Sequence, residues 1–354
     1  MANQDSRILP AKLKPALLNK FIRLNRRHIA VYSIISLAPP IFYVFRFSSE
    51  FEEFTDSFRI LFDYLKDRTA YFLYAHTEVS QDHAKALAVL EDQHRREYPK
   101  FRFIHLCNFD AQLQTLEKFG LETLFCNQNA MVDENLYKPL LNIEKKYDAV
   151  YDARFQRYKR HYLASKLPSL GLIHYPVLTK DEPDYVREIK EKLADAHFFN
   201  HTKTGEHRKL SLSEVNQALN RCSVGLCLSA EEGAMYASIQ YLLAGLPVVT
   251  TPNVGGRDEF FDDEISITVE PTPEAVKAGV AEMIGRNLDP QYIRAKTLER
   301  MKVHRGYFIS LIQSIYEQEG IGRDFSIEWK SIFFNKLLRN RNHLKTISDL
   351  NQPN

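Results

Sequence analysis

The chain has 354 residues, of which 44% are hydrophobic and 26% are charged, and its formal net charge at pH 7 is +2. This length predicts two domains of about 150 to 200 residues, each large enough to bury a full sheet. The near-neutral charge argues against a nucleic-acid partner, and the composition is that of a soluble globular protein.

The N-terminal segment is basic and then apolar. Residues 11–28 place lysines and arginines among leucines at helical spacing, which predicts an amphipathic helix that either packs on its own domain or lies on an anionic membrane. Residues 29–45 are about 17 residues long and contain two prolines, so they predict a buried strand and loop rather than a membrane span. The polar residues 1–6 lack the pattern of a secretory signal, and the four scattered cysteines predict buried reduced thiols, so we expect a cytoplasmic protein.

Further along the chain, short apolar runs alternate with helical periodicity, which is typical of parallel sheets covered by helices. The predicted strands are Tyr71–His76, Phe101–Cys107, Thr123–Cys126, Ala149–Tyr151, Gly171–Tyr175, His197–Asn200, Val224–Leu228, Pro247–Thr251 and Ile265–Val269. Pro139 and a polar run interrupt this pattern and indicate a domain boundary near residue 142. The predicted units are residues 1–142, residues 143–320 and a basic helical extension, residues 321–354, whose segment Trp329–Arg341 allows the same two interpretations as the N-terminal helix.

The segment Leu226–Gly256 carries the most chemical information. Its pattern predicts a strand ending at Leu228, a helix of about ten residues ending at Gly245, a further strand and a glycine-rich loop. In open α/β sheets ligands bind beyond the carboxyl ends of the strands, where a helix N-terminus attracts an anion such as a diphosphate. The alternative is a purely structural β-α-β turn.

Several side chains of this segment suit a polar ligand. Glu232 and Gln240 are eight residues apart, about two helical turns, so we expect both to face the same hydroxyl-rich ligand. The alternative role for Glu232 is stabilisation of the helix dipole. Gly233 lets the backbone approach a ligand closely, and Gly255 with Gly256 can offer a second loop of backbone donors.

These residues form part of a longer ordered motif. Its members are Glu232, Gly233, Gln240, Ala244, Gly245, Leu246, Pro247, Val248, Val249, Gly255 and Gly256. The motif resembles that of glycosyltransferase family 4, a large retaining group with the GT-B architecture, in which two Rossmann-like doubly wound α/β domains face a central cleft. The resemblance implies that Glu232 contacts the donor sugar, that Gly233, Ala234 and Met235 approach sugar and phosphate, and that position 240 holds the ribose. The family has glutamate at position 240, and the uncharged Gln240 weakens each such hydrogen bond by about 1 kcal/mol.

Two further stretches resemble the same family. Arg154 and Lys159 follow the predicted strand Ala149–Tyr151, and the resemblance implies that both bind the donor diphosphate, which suits a guanidinium and an ammonium. The alternative is that the basic residues around Lys159 form a solvated helix start. The stretch Asn129–Pro139 resembles the interdomain segment of the family. The resemblance also implies a histidine from an N-terminal strand end near the donor sugar. His76 is the first candidate, followed by His105 and then Glu78, and the alternative is a structural histidine.

The resemblance implies a metal-independent glycosyltransferase that needs no cofactor and transfers a sugar from a nucleotide-sugar donor to an acceptor hydroxyl with retention. No D-x-D pattern follows a strand, and Asp262–Glu264 has the composition of a solvated turn. We expect a glycan or glycolipid acceptor in bacterial surface polysaccharide synthesis, with possible contact between the basic ends and a membrane. The alternatives are a non-catalytic scaffold, which the exchange at Gln240 would allow, and a sugar-nucleotide epimerase or a phosphorylase of the same fold. A dinucleotide-dependent oxidoreductase is disfavoured because no G-x-G-x-x-G follows a first strand.

Overall fold

The computed structural model describes residues 29–46, 51–77, 80–175 and 183–352, so the predicted basic helix of residues 11–28 and Glu78 lie outside the described residues. The strands are β1 (Ile29–Leu37), β2 (Pro40–Arg46), β3 (Ala70–His76), β4 (Phe101–Cys107), β5 (Thr123–Phe125), β6 (Tyr147–Asp152), β7 (Leu170–Ile173), β8 (His197–Phe198), β9 (Cys222–Cys227), β10 (Val248–Thr250), β11 (Ser266–Thr268) and β12 (Asn340–Asn342). The α-helices are α1 (Phe51–Leu65), α2 (Gln81–Glu97), α3 (Asp110–Glu117), α4 (Pro183–Lys192), α5 (Leu212–Asn220), α6 (Tyr236–Leu243), α7 (Pro273–Gly285), α8 (Pro290–Gln318), α9 (Phe325–Ile332) and α10 (His343–Leu350).

The first sheet has the strand order β12-β1-β2-β3-β4-β5. Strands β2 to β5 are parallel, whereas β1 pairs antiparallel with both β2 and β12. The apolar residues 29–45 therefore form a hairpin within a sheet, in agreement with the prediction of strand and loop. Among the described helices, none is long and apolar enough to cross a membrane.

The second sheet is parallel throughout and has the order β11-β10-β9-β6-β7-β8. The chain moves outward from β6 to one edge, returns to β9 beside β6, and then moves outward to the other edge. The order reverses between β6 and β9, and the crevice beyond the carboxyl ends of two such strands is the usual ligand site of doubly wound sheets.

Side-chain caps define the helix starts in the second domain. Ser211 and Glu214 form a capping box at the start of α5, and Thr272 caps α7 with Pro273 in its first turn. All four cysteines are buried free thiols, as predicted. These features position the strands that carry the site.

Helix α8 joins the two domains. Its residue Met301 lies in the core of the second sheet, whereas Phe308, two turns later, lies in the core of the first. Between them the Arg305 guanidinium donates to the Ala130 carbonyl over 2.7 Å, within the predicted interdomain segment. The helix thus packs in the cores of both domains and contacts the segment that connects them.

The C-terminal segment returns to the first domain. Strand β12 pairs with β1, and the Trp329 ring of α9 packs against Phe308 and Phe325 with ring centroids 5.6 and 6.2 Å apart. The Tyr32 hydroxyl and the Thr346 hydroxyl are 2.6 Å apart in the same core. The two ends of the described chain therefore build one sheet, and residues 321–352 pack on the unit formed by the N-terminal half.

Candidate functional site

The side chains of Lys159 and Glu232 meet at the point where the strand order of the second sheet reverses. Lys159 ends a 3-10 turn that follows β6, and Glu232 lies in the loop that follows β9. The ammonium forms an ion pair with the Glu232 carboxylate, and these side chains are only 10% and 14% exposed. The Ser229 hydroxyl donates to the same carboxylate over 3.1 Å. Two predicted site residues, 73 positions apart by their numbers, therefore share one crevice.

The ammonium of Lys159 is buried, and burial disfavours its charged form. Burial, with smaller contributions from the positive charges of Arg154 and Arg257, lowers the pKa of the Lys159 ammonium to about 7. Cys227 and Asp152 act in the opposite direction, as a bound phosphate would. Arg154, whose charge acts on Lys159, is exposed. The alternative of a solvated helix start is therefore wrong for Lys159, and it describes Arg157, which is exposed.

The loop that contains Glu232 lies beside the glycine-rich loop after β10. The Glu232 amide donates to the Val254 carbonyl over 3.0 Å, and the Gly256 amide donates to the Gly233 carbonyl over 2.8 Å. Gly255 has a φ of 132°, and a Cβ atom there would lie 1.8 Å from the Glu232 carbonyl oxygen. Both loops predicted from the motif therefore form one backbone surface, which requires glycine at position 255.

Helix α6 begins close to the point expected for a helix of about ten residues that ends at Gly245. Its first residue is Tyr236, so Ala234 and Met235 precede it and Glu232 lies four residues outside it. The expectation that Glu232 and Gln240 share one helical face is wrong, because Glu232 lies in the loop before the helix, where its amide donates to the Val254 carbonyl. Gln240 lies buried in the second turn. Met235 is the N-cap residue of α6, and its side chain makes no capping hydrogen bond. The first amides of α6 therefore remain available for an anion.

Two arginines that the motif did not single out hold the strand ends in place. Arg257 is fully buried and donates to the Ser229 and Thr251 carbonyls, each over 2.7 Å. Arg160 donates to the Leu228 carbonyl over 2.6 Å. Both guanidiniums therefore fix the loops after β9 and β10. Position 257 directly follows the glycine pair, but the sequence alone does not show whether an arginine there is a buried structural residue or an exposed surface charge.

The first domain contacts these loops through its backbone. A Cβ atom on Gly233 would lie 1.0 Å from the Thr77 carbonyl oxygen, and one on Gly256 would lie 2.5 Å from the Asn108 carbonyl oxygen. The Asn127 amide donates to the carbonyls of Asn108 and Gly256 over 2.9 and 2.7 Å, which links the two domains. These glycines are therefore needed for interdomain contact.

His76 lies at this boundary, but its ring faces the first domain. The ring is buried, and its Nε2 atom is 2.7 Å from Nδ1 of His105, whose Nε2 atom is 2.7 Å from the Glu91 carboxylate. When Nε2 of His105 donates a hydrogen bond to the Glu91 carboxylate, its Nδ1 atom is left as an acceptor, so that Nε2 of His76 is the donor in the other hydrogen bond. The His76 carbonyl accepts hydrogen bonds from Asn108 over 2.6 Å and from Gln128. A catalytic role for His76 stays a prediction.

The acidic turn after β10 is engaged by α8. Asp262 pairs with Lys296 over 2.9 Å and with Arg300 over 3.1 Å, and Glu264 pairs with Lys296 over 3.0 Å. Asp263 and Glu264 are exposed, as expected for a solvated turn, whereas Asp262 is largely buried in the ion pairs with α8. Across the described ranges, no group of three or more histidine, cysteine or acidic side chains has an arrangement that could hold a metal ion.

Comparisons with known proteins identify the fold. No protein-family model matches the sequence, and no curated protein matches it significantly. Sucrose-phosphate synthase from Thermosynechococcus elongatus shares 14% identity over 76% of this chain and 79% of its own, with a TM-score of 0.54. Anabaena HepE, in complex with UDP and glucose, shares 16% identity over 78% and 77%, with a TM-score of 0.52. A glycosyltransferase from Rickettsia africae shares 14% identity over 91% and 85%, with a TM-score of 0.50.

The likeness to these proteins shows that the chain has the GT-B fold, as predicted: two Rossmann-like α/β domains that face a cleft. The first domain carries an antiparallel hairpin and β12 at one edge of its sheet. The Lys159 and Glu232 pair belongs to the second domain, with the first domain's backbone opposite.

Proposed function

We propose that this protein is a glycosyltransferase that takes a sugar from a nucleoside diphosphate donor bound around Lys159, Glu232 and the N-terminus of α6. The observation that carries the proposal is the convergence of a buried lysine, a partly buried glutamate and uncapped helix amides at the reversal of strand order. Cation and amides suit a diphosphate, and a carboxylate suits sugar hydroxyls. The GT-B fold supports the proposal because its members above include sugar-transferring enzymes.

In the proposed reaction, the bond between the anomeric carbon and the diphosphate oxygen breaks, and its electron pair leaves with the diphosphate. Arg154, Lys159 and the first amides of α6 stabilise that developing charge, which is the main requirement of the step. The acceptor hydroxyl attacks from the face that the diphosphate leaves, and its proton passes to the departing phosphate. This course retains the anomeric configuration and uses no metal ion.

The donor and acceptor classes are part of the proposal. HepE is similar in fold and was crystallised with UDP and glucose, so UDP is the first nucleotide to test. We propose a glycan or glycolipid hydroxyl as acceptor, in bacterial surface polysaccharide synthesis, with the protein acting in the cytoplasm and its basic N-terminal segment contacting a membrane. Vesicle flotation tests the membrane contact, and recovery of all the protein in the soluble fraction would contradict it.

The donor site is tested by thermal unfolding with UDP, GDP, ADP and the corresponding sugar nucleotides. A ligand at a hundred times its Kd adds about 2.7 kcal/mol to the free energy of unfolding, which gives a readily measured rise in Tm. We expect nucleotides with one particular base to raise the Tm of the wild type. The Tm of Lys159→Ala should not rise with them, because the variant lacks the phosphate-binding cation. Glu232→Ala should lose affinity for the sugar nucleotide more than for the free diphosphate.

Lys166→Ala is the matched control. Lys166 forms an ion pair with Glu274, but both side chains are more than half exposed, at 54% and 63%, so its removal should change neither Tm nor binding appreciably. If no nucleotide shifts the wild type, the site does not bind a donor, and a non-catalytic scaffold becomes the better interpretation of the fold.

A further inference from the structure

Lys336 brings a positive charge from the C-terminal segment to the donor loop. It lies in the 3-10 turn Asn335–Leu337, which packs on the first domain. Its ammonium nitrogen is 4.0 Å from the centroid of the Tyr236 ring, and Tyr236 is the first residue of α6 in the second domain. A half-buried cation of one domain therefore faces the end of α6 whose amides suit an anion.

The backbone around Lys336 is strained. Lys336 has a φ of 63° and Leu337 a φ of 50°, so two successive residues that are not glycine adopt the left-handed region. Each costs about 1 kcal/mol or more. The conformation is held on both sides, since the Asn335 side chain accepts a hydrogen bond from the Asp133 amide over 3.0 Å and the Ser33 hydroxyl donates to the Leu337 carbonyl over 2.6 Å. Strain that is held in this way is common at ligand sites.

The charges around Lys336 are not paired. Asp152, the last residue of β6, interacts electrostatically with both Lys336 and Lys159. Burial raises the pKa of the Asp152 carboxyl to about 7 and lowers the pKa of the Lys336 ammonium to about 8. Neither group has an ion-pair partner among the residues that the structure describes. The arrangement leaves a desolvated cation beside a cleft, with Asp152 acting on it electrostatically but forming no ion pair with it.

We propose that Lys336 binds the diphosphate of the donor from the first domain's side of the cleft, as a third cation opposite Arg154 and Lys159. The inference rests on the proposed function. An ammonium on a flexible stem can reach phosphate oxygens, and this one contacts the ring of Tyr236, the first residue of the helix whose amides would bind the same group. Because Lys336 is attached to one domain and the amides to the other, the bound diphosphate draws the two domains together.

The test measures binding of UDP and of inorganic pyrophosphate, a probe that lacks base and sugar, by isothermal titration calorimetry. Lys336→Met keeps the length of the side chain and removes its charge, so we expect Kd to rise about tenfold or more for both ligands. Lys336→Arg keeps the charge and should bind within about threefold of the wild type. Lys330→Met, six residues earlier in the same segment and exposed, is the control and should leave both affinities unchanged. Circular dichroism and Tm verify that each variant is folded.

The outcomes separate the inference from the proposed function. If the wild type binds both ligands, Lys159→Met loses binding and Lys336→Met binds like the wild type, the role of Lys336 is overturned while the donor site stands. If the wild type binds neither ligand, the proposed donor site and the role of Lys336 are both overturned. If Lys336→Met weakens UDP and pyrophosphate in parallel and Lys336→Arg restores them, Lys336 acts on the diphosphate.

Discussion

The lowered pKa of the Lys159 ammonium predicts that the proposed donor site binds its ligand in a pH-dependent manner. Burial lowers this pKa to about 7, so above that pH the empty site has largely lost the charge that a diphosphate needs. A bound diphosphate raises the pKa again, and binding then takes up a proton. We expect pyrophosphate affinity to fall by up to about tenfold per pH unit from pH 7 upward, measured by calorimetry at pH 6.5, 7.5 and 8.5.

Lys159→Arg is the control for this dependence, because a guanidinium stays charged throughout that range. Pyrophosphate also titrates, but that contribution is common to wild type and variant and cancels in the ratio of their affinities. The pyrophosphate affinity of Lys159→Arg, divided by that of the wild type, should increase as pH rises. A ratio that stays constant from pH 6.5 to 8.5 would show that the Lys159 charge does not change on binding.

How far single residues could be predicted depended on whether they belong to an ordered motif. Glu232, Gly233 and Lys159 were singled out because they belong to motifs that resemble those of a known family, and the structure brings all three together. Lys336 was not singled out, because one lysine in a basic and aromatic segment has no distinguishing spacing, and a positive φ cannot be read from it. Arg257 was missed for a similar reason, since burial of a guanidinium depends on carbonyls that converge only after folding.

At the scale of elements, the contact between loops of the two domains depends on glycine. Gly233→Ala places a methyl group on the Thr77 carbonyl, so the domains must move apart or the loop must shift. We expect the free energy of unfolding to fall by about 1 to 3 kcal/mol, measured by urea denaturation, together with weaker UDP binding.

Gly306→Ala is the matched control, since Gly306 lies inside α8 with open space around it. There the exchange should raise stability by about 0.5 to 1 kcal/mol, because alanine favours the helix. Equal effects of the two substitutions would mean that the interdomain contact at Gly233 does not persist in solution.

Elements were predicted well where apolar periodicity is strong. The nine strands predicted between residues 71 and 269 all occur, and Phe101–Cys107 has the predicted limits. Strand β12 was not predicted because its three residues, Asn-Arg-Asn, are polar and gain their strand geometry only by pairing with β1. The placement of Glu232 on the same helix as Gln240 was wrong for the opposite reason, since helix-compatible residues before Tyr236 instead form a loop that contacts the glycine-rich loop.

At the scale of the whole molecule, α8 carries the chain from the second domain back to the first, where the C-terminal segment completes the sheet that β1 begins. The first domain's stability should then depend on contacts that are more than 300 residues apart in sequence, such as the hydrogen bond between Tyr32 and Thr346. Each domain has its own buried cluster, so loss of such a contact should open the first domain without opening the second.

Thr346→Val tests this division by removing a buried hydroxyl that lies 2.6 Å from the Tyr32 hydroxyl while preserving side-chain shape. The loss should cost about 1 to 3 kcal/mol. Hydrogen exchange followed by mass spectrometry should show faster exchange in β1, β2 and β3 but unchanged exchange in β6 and β9. Asn351→Ala, which removes an exposed hydrogen bond to Tyr64 in the same segment, should leave both sheets unchanged. If exchange in β9 accelerates as much as in β1, the two domains unfold as one cooperative unit, and α8 transmits stability between them rather than merely connecting them.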